Sequence, residues 1–436
     1  MTLAGLGKLL VWGAAIAWMH GVAICQPGRV IILENADNLE GKIIDGQDAR
    51  ELIGNVRFHQ ENVRVSCDRA LQFIASGKVI LTGNVVVNDD SLTLRAPRGA
   101  YYRDERRAEA FDHVALDDGS VQLTAGYGEY FIEPKRYFIE PKRAFFHTRV
   151  VVRDTGSTVT SDSLVYFRTE KRSIATGRVR IVNPGDNVTI TGNRLDHFST
   201  QQFSRVTGRP IMVQLDSSTP GSVDTLVVRS RVMESYRDSV KRLVAIDSVE
   251  IVRSDLAAIA GHVQFFTQAD SMLLRQAPVV WYQQTQVTGD SINVYLRKRK
   301  LHLVTVMSDA FAASRSDSVR PTRFDQMSGE LMRMYFAGKG LERIEVDDRA
   351  TSLYHLYEDS LANGVNKTSG DHIIVSFGDG KVQAIRILGG AEGQYFPENL
   401  VEEREAEYAL AGFLWRTNRP QILPSDIRIA FTQNRR

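Results

Sequence analysis

Short runs of alternating apolar and polar residues recur along the chain from about residue 50 to about residue 390. Val56-Arg57-Phe58, Val85-Val86-Val87, Val114-Ala115-Leu116, Val150-Val151-Val152 and Val179-Arg180-Ile181 are the clearest. The first three start 29 residues apart, the next gap is 36, and the one after is 29 again. Alternation at period 2, carried by β-branched and aromatic residues, predicts strands, two or three short ones per repeat. No part of the repeat sustains the i, i+3, i+4 stripe of a helix.

The odd gap has a visible cause. Tyr130 to Arg136 (YFIEPKR) is followed at once by an identical copy, Tyr137 to Arg143. Removing one copy returns 36 to 29, so the duplication lengthens one turn, with Pro134 and Pro141 unable to donate to a ladder. A second marker follows the same period. A cluster of small or turn residues precedes an aromatic at Phe73, Tyr102, Phe131, Phe167, Phe198, Tyr236, Phe266, Tyr295, Tyr335 and Phe377. Ser66-Cys67-Asp68, Ala96-Pro97-Arg98-Gly99, Thr191-Gly192-Asn193, Thr288-Gly289-Asp290 and Ser328-Gly329-Glu330 are typical clusters. Spacing stays near 29 to 31 for much of the chain and stretches to about 40 late. A strand with one apolar face must bury it, and stacked copies bury a continuous strip. The expected fold is all-β: an elongated open β-jelly roll or solenoid of about ten antiparallel repeats of about 29 residues.

The pattern changes at both ends. Leu9 to Trp18 is a short apolar core behind Lys8, with small residues at Gly21 and Ala23. Residues 1–25 are expected to be a secretory signal peptide, cleaved after Ala23 or Cys25. Residues 26–395 are then one repeat domain. Residues 396–436 form a helical cap and tail: Leu400 to Leu414 is the one helix candidate, and Pro420 and Pro424 mark the tail beyond it.

Composition narrows the partners. Fifty-four basic residues against 52 acidic give a net charge of +2, without the lopsided basic footprint of a nucleic-acid binder. Two cysteines make neither a disulfide scaffold nor a Cys-built zinc site. Once the signal is cleaved, Cys67 can be the sole cysteine, in the alternating context of a packed strand. Catalytic constellations are hard to find. The carboxylate pairs Asp89-Asp90, Asp117-Asp118 and Asp347-Asp348 fall at expected turns, where Asp is favoured for backbone reasons. The nine histidines show no metal-ligand spacing, and no metal or cofactor is expected. Gly378-Asp379-Gly380-Lys381 lies between apolar runs and is expected to be a hairpin. Arg297-Lys298-Arg299-Lys300 is the densest basic run. It is a solvated hairpin tip or a contact for lipid phosphates.

The repeat, with Gly54-Asn55-Val56, Gly83-Asn84-Val85 and Gly177-Arg178-Val179 as its best-kept marks, resembles the OstA-like family, to which LptA-type proteins and the N-terminal domain of LptD-type translocons belong. The likeness spans roughly residues 28–395. It implies an open twisted jelly roll that carries lipopolysaccharide across the periplasm with its acyl chains in the apolar interior, supporting outer-membrane assembly. Implied partners are lipopolysaccharide or a related glycolipid, other Lpt-type jelly rolls joined by edge-strand pairing, and further copies of the chain. The groove residues would be Val56, Phe58, Val85, Val87, Val114, Leu116, Val150, Val152, Val179, Ile181, Ile211, Val213, Val249, Ile251, Val279 and Trp281. Departures are the doubled repeat number, the stretched late repeats and the C-terminal helix. The alternative is an exported β-solenoid enzyme or binding protein acting on polysaccharide.

Overall fold

The computed structural model describes residues 32–431, except 61–62, 89–91, 103–104, 106, 120, 132–142, 168–169, 220–221, 238, 298–299, 317–319, 339, 359–360 and 379–380. The expected signal segment, Cys25 and most of the duplicated heptapeptide lie outside the described residues. The described chain is almost entirely β, with 28 antiparallel strands. It divides into two compact units, 1–208 and 209–436. The boundary falls inside the stretch that the sequence presents as one repeat domain.

Within the first unit, the strands from Gln47–Gln60 to Val188–Phe198 are 10 to 14 residues long. Two long strands fill one repeat, rather than two or three short ones. Val79–Asn88 and Thr93–Tyr102 make up one such copy. Each long strand serves two walls because it bends in the middle. The pairing register shifts between Ile53 and Val56, Thr82 and Val85, Phe111 and Val114, and Thr176 and Val179. At each break two consecutive residues have positive φ: Gly54-Asn55, Gly83-Asn84, Asp112-His113 and Gly177-Arg178. The apolar residues on both sides of a corner, such as Ala108 and Ala110 before Asp112 and Val114 and Leu116 after His113, belong to one core cluster. The strand therefore folds around its own interior.

These paired positive-φ residues recur at 54, 83, 112, 148, 177, 208, 247, 276, 308, 348 and 389. They are the structural form of the sequence period. Gly-Asn is thus a corner within one strand. The small-residue clusters lie opposite it. Asp68 faces Gly83-Asn84 and accepts from Asn84 Nδ2 at 3.0 Å. In the second unit Asp290 N donates to Ser308 O at 3.0 Å, and Asp371 N donates to Gly389 O at 2.8 Å. The corner carbonyl is thus paired although the ladder is broken there. Asp348 likewise belongs to a corner rather than to a hairpin turn.

Four of the aromatic markers sit at hairpin ends opposite an arginine on the next strand. Tyr102 faces Arg107, Phe167 faces Arg172, Tyr236 faces Arg242 and Tyr335 faces Arg343. Each guanidinium lies over its ring, at 4.3, 6.0, 4.2 and 4.4 Å. Cross-strand pairs of this kind are worth roughly 0.5–1 kcal/mol at exposed sites and pin the register.

The end of the chain differs from the single helix expected over Leu400 to Leu414. Two four-residue helices form, α1 (Glu398–Val401) and α2 (Glu405–Tyr408), and a third, α3 (Pro424–Phe431), forms where the sequence suggests a tail. Glu403, at positive φ, breaks the first from the second. The acidic residues are held by two arginines of the connection between the strands Lys300–Arg315 and Phe324–Ala337. Arg323, with no exposed side-chain surface, binds Glu398 and Glu405, while Arg320 binds Glu398 and Glu402. Pro424 occupies the first position of α3, where a missing N–H costs nothing.

This terminal segment lies along the second unit's sheet. Val401 and Leu410 pack with Phe311, Ala313, Leu353 and Val365. Gln326 Oε1 accepts from Leu410 N, and Gln286 bonds both Leu414 O and Arg416 N. Further on, Arg229 pairs with the buried Asp426.

Candidate functional site

The interior of the first unit is lined by residues that pair in unbroken succession. Phe58, Val65, Val87, Leu94, Leu116, Leu123, Val152, Val159, Ile181 and Ile190 face one another across ten consecutive strands. At about 4.8 Å per strand, this row spans about 43 Å. Of the predicted groove residues here, Val56, Phe58, Val85, Val87, Val114, Leu116, Val150, Val152 and Val179 are in the core, at most 5% exposed. Ile181 is half-buried and packs against it. The facing wall mixes small and large residues, with Ala108, Ala110 and Ala144 beside Leu81, Phe146 and Leu164. Between the walls, Leu94, Leu116, Ala108, Ala110, Ala144 and Phe146 surround a cavity of about 30 Å³. That is the volume of about one water, so the walls must separate for a hydrocarbon chain to enter.

The second unit repeats the arrangement with different residues. Ala245, Val263, Leu274, Ile292, Val306, Met332, Val346 and Ile373 pair in one row and are at most 1% exposed. Val249 and Ile251 share this interior, being the first and third residues after the corner at Asp247-Ser248.

Four predicted groove residues face the other way. After the corners at Gly208-Arg209 and Gln276-Ala277, the first residue is a proline, Pro210 or Pro278, and the third is Met212 or Val280. Ile251, Ala258 and Val280 pair on the interior face. Ile211, Val213, Val279 and Trp281 therefore lie on the outer face. Register confirms their side: Val213 faces Val227, which continues through Val252, Ala257 and Trp281 to Gln286. Gln286 is one of the residues that bind the terminal segment. Val213, Val279 and Trp281 are buried because this face is covered, and Ile211 is half-buried.

Alternation alone finds apolar positions on both faces, and a proline in place of the usual valine just after the corner hides the phase. The missed interior positions, Leu274, Ile292, Val306, Met332, Val346 and Ile373, fall where the spacing stretches and Gly-Asn is no longer kept. Their alternation was the available signal.

Arg297 and Lys300 are paired and exposed at the hairpin between Ser291–Arg297 and Lys300–Arg315. Lys298 and Arg299 lie outside the described residues. Cys67 is buried, and burial pushes its thiol up to about 12, so it is held as the thiol. Among the described residues, no three His, Cys, Asp or Glu side chains gather as a metal site. No helix among the described residues is long and apolar enough to cross a membrane.

No curated protein matches the chain. Among solved structures it is similar to LptH, the LptA-homologous periplasmic component of the lipopolysaccharide transport device of Pseudomonas aeruginosa. The two are 17% identical, with 33% of this chain and 95% of that one covered and a TM-score of 0.25. Residues 29–140 match the family model for OstA-like protein. That segment, about a quarter of the chain, holds the first Gly-Asn corners and the start of the apolar interior.

Proposed function

We propose that the protein is a periplasmic lipid carrier of the lipopolysaccharide-transport type, and not an enzyme. In this reading it holds acyl chains of lipid A, or of a related glycolipid, between the walls of its jelly roll and delivers them toward the outer membrane. The observation that carries this reading is the unbroken apolar row from Phe58 to Ile190. A packed core needs burial but not one apolar register continued over ten strands. Each methylene taken from water gains about 0.8 kcal/mol, so a 12-carbon chain gains on the order of 10 kcal/mol against the cost of parting the walls. Arg297 and Lys300, with Lys298 and Arg299, would meet the lipid's phosphates.

Partners would join at the sheet edge. Among the described residues, Ile32–Asn35 and Asn38–Ile44 pair only with Gln47–Gln60 and expose Ile32, Leu33, Leu39 and Ile43. An open edge with exposed apolar side chains suits strand addition by another jelly roll or a second copy.

The test is photocrosslinking from Val152 and Ile181 in cells, with mass spectrometry of co-purified lipid. Crosslinks to lipid A are expected. Their absence, while a control lipid carrier still crosslinks, would refute the reading.

A further inference from the structure

One end of the first unit's interior departs from its apolar lining. On the wall before the corners, a row of interior positions reaches Ala144 and Tyr166, then continues through Ser173, His197 and Ser204, each opposite the next. His197 is 1% exposed and Ser173 3%. His197 Nδ1 lies 2.9 Å from Ser204 Oγ. The other ring nitrogen, Nε2, and Ser173 Oγ are both buried with no hydrogen-bond partner. Residues directly opposite in an antiparallel pair have Cβ atoms about 4.5–5.5 Å apart, so the two orphans belong to neighbouring side chains on one face. A buried polar atom without a partner is costly, and a ligand atom bonded to both would relieve that cost twice.

The chemistry of the pair selects the ligand atom. Burial pushes the His197 pKa down to about 4, with the Asp154 charge only partly opposing it, so the ring is neutral near pH 7. With the Ser204 hydroxyl donating to Nδ1, Nε2 carries the proton and Ser173 Oγ–H is a second donor beside it. Two neutral donors in apolar surroundings fit a neutral oxygen acceptor. An anion is disfavoured by the lack of a compensating cation and by the Asp154 carboxylate. For a molecule whose hydrocarbon lies in this interior, the neutral oxygen nearest each chain is the carbonyl of its ester or amide linkage.

We propose that Ser173 and His197 together form a recognition point for the acyl-linkage carbonyl of an amphiphile bound in the first unit. This rests on the lipid-carrying reading above. It adds that the interior reads the linkage and not only the chain, and that it sets the depth to which the chain slides.

The experiment measures lipid A binding to the full chain and to Ser173→Ala, His197→Phe and His197→Gln variants, with long-range ¹⁵N–¹H spectra of the imidazoles. Losing one donor should weaken binding about 5- to 10-fold. His197→Gln, which keeps an N–H, should recover part of that loss. The Nε2–H signal of wild type should shift on adding lipid A. Should His197→Phe fail to fold, Ser173→Ala carries the test, since it deletes one small hydroxyl. Equal lipid A binding by wild type and variants with an unmoved Nε2 signal would overturn the proposal and leave the carrier reading intact. Failure of wild type itself to bind lipid A would remove both.

Discussion

The corner at Gly83-Asn84 offers the sharpest test of how the sequence becomes a jelly roll. Gly83 has φ +76°, and a Cβ there would stand 2.1 Å from Asp68 Oδ2, 2.7 Å from its Cγ and 2.8 Å from its Cβ. Gly83→Ala therefore meets two penalties. The left-handed backbone costs a non-glycine residue about 1–2 kcal/mol. The Asp68 side chain must also leave, because the clash reaches its Cβ and not just its flexible end. That breaks its bond from Asn84, worth about 0.5–1.5 kcal/mol. The expected loss is about 2–3 kcal/mol of unfolding free energy, read from urea titration by far-UV circular dichroism.

Two further variants check this reasoning. Gly41→Ala, on an exposed strand with nothing within 4 Å of the added Cβ, should change stability by less than about 0.5 kcal/mol. Asp68→Gly combined with Gly83→Ala loses the same bond and keeps the same backbone strain, so it should cost about the 2–3 kcal/mol of Gly83→Ala alone, less than the two single losses added, which is a measurable coupling between the sites. A Gly83→Ala protein as stable as wild type would show that the strand does not turn a left-handed corner there, and the two-walled interior would lose its basis.

Arg323→Met should destabilise the second unit by about 3–5 kcal/mol, since it strands Glu398 and Glu405 around a fully buried site. Emission of Trp415, whose ring lies tilted against Phe324 with centroids 4.7 Å apart, should report the release of the terminal segment, and an unchanged midpoint would contradict the assignment. Ending the chain at residue 395 should uncover Phe311, Leu353 and Val365 and raise binding of a hydrophobic dye; no rise would mean that the segment does not cover that face. Glu51 carries the pH dependence. Its hydrogen bond from Lys42, aided by Arg69 and opposed by desolvation, lowers its pKa. A lowered folded pKa means that the unfolded chain binds more protons, so the contribution is full above the ordinary glutamate value of about 4.3 and fades as pH falls through the folded value. The stability gap between wild type and Glu51→Gln should stay level from pH 8 to 6 and close on acidification below about 4. A gap that stays constant to pH 3 would be inconsistent with the ion pair.

Much of this protein is written in local pattern. Period-2 alternation gave strands, because a pleated strand places every second side chain on one face. The 29-residue spacing of Val56, Val85 and Val114 gave a repeat, and Gly-Asn marked where it turns. The meaning of that turn was not local. A residue pair at positive φ serves a hairpin or a bend within a strand equally well, and only the pairing of Asp68 opposite Gly83 decided for the bend. Later corners such as Ser308-Asp309 and Asp348-Arg349 contain no glycine, so their backbone is held left-handed by the neighbouring strand rather than by residue preference. Facing was likewise settled at a distance. Val279 and Trp281 alternate as well as Val85 and Val87 do, yet they lie under a segment more than a hundred residues further along. Alternation states that a face is covered, and tertiary contact decides what covers it. Helix breaking at Glu403 and the buried Arg323 also follow from long-range charge pairing. The sequence alone determined strands, period and an apolar strip; the tertiary structure decided which side of each strand is the inside.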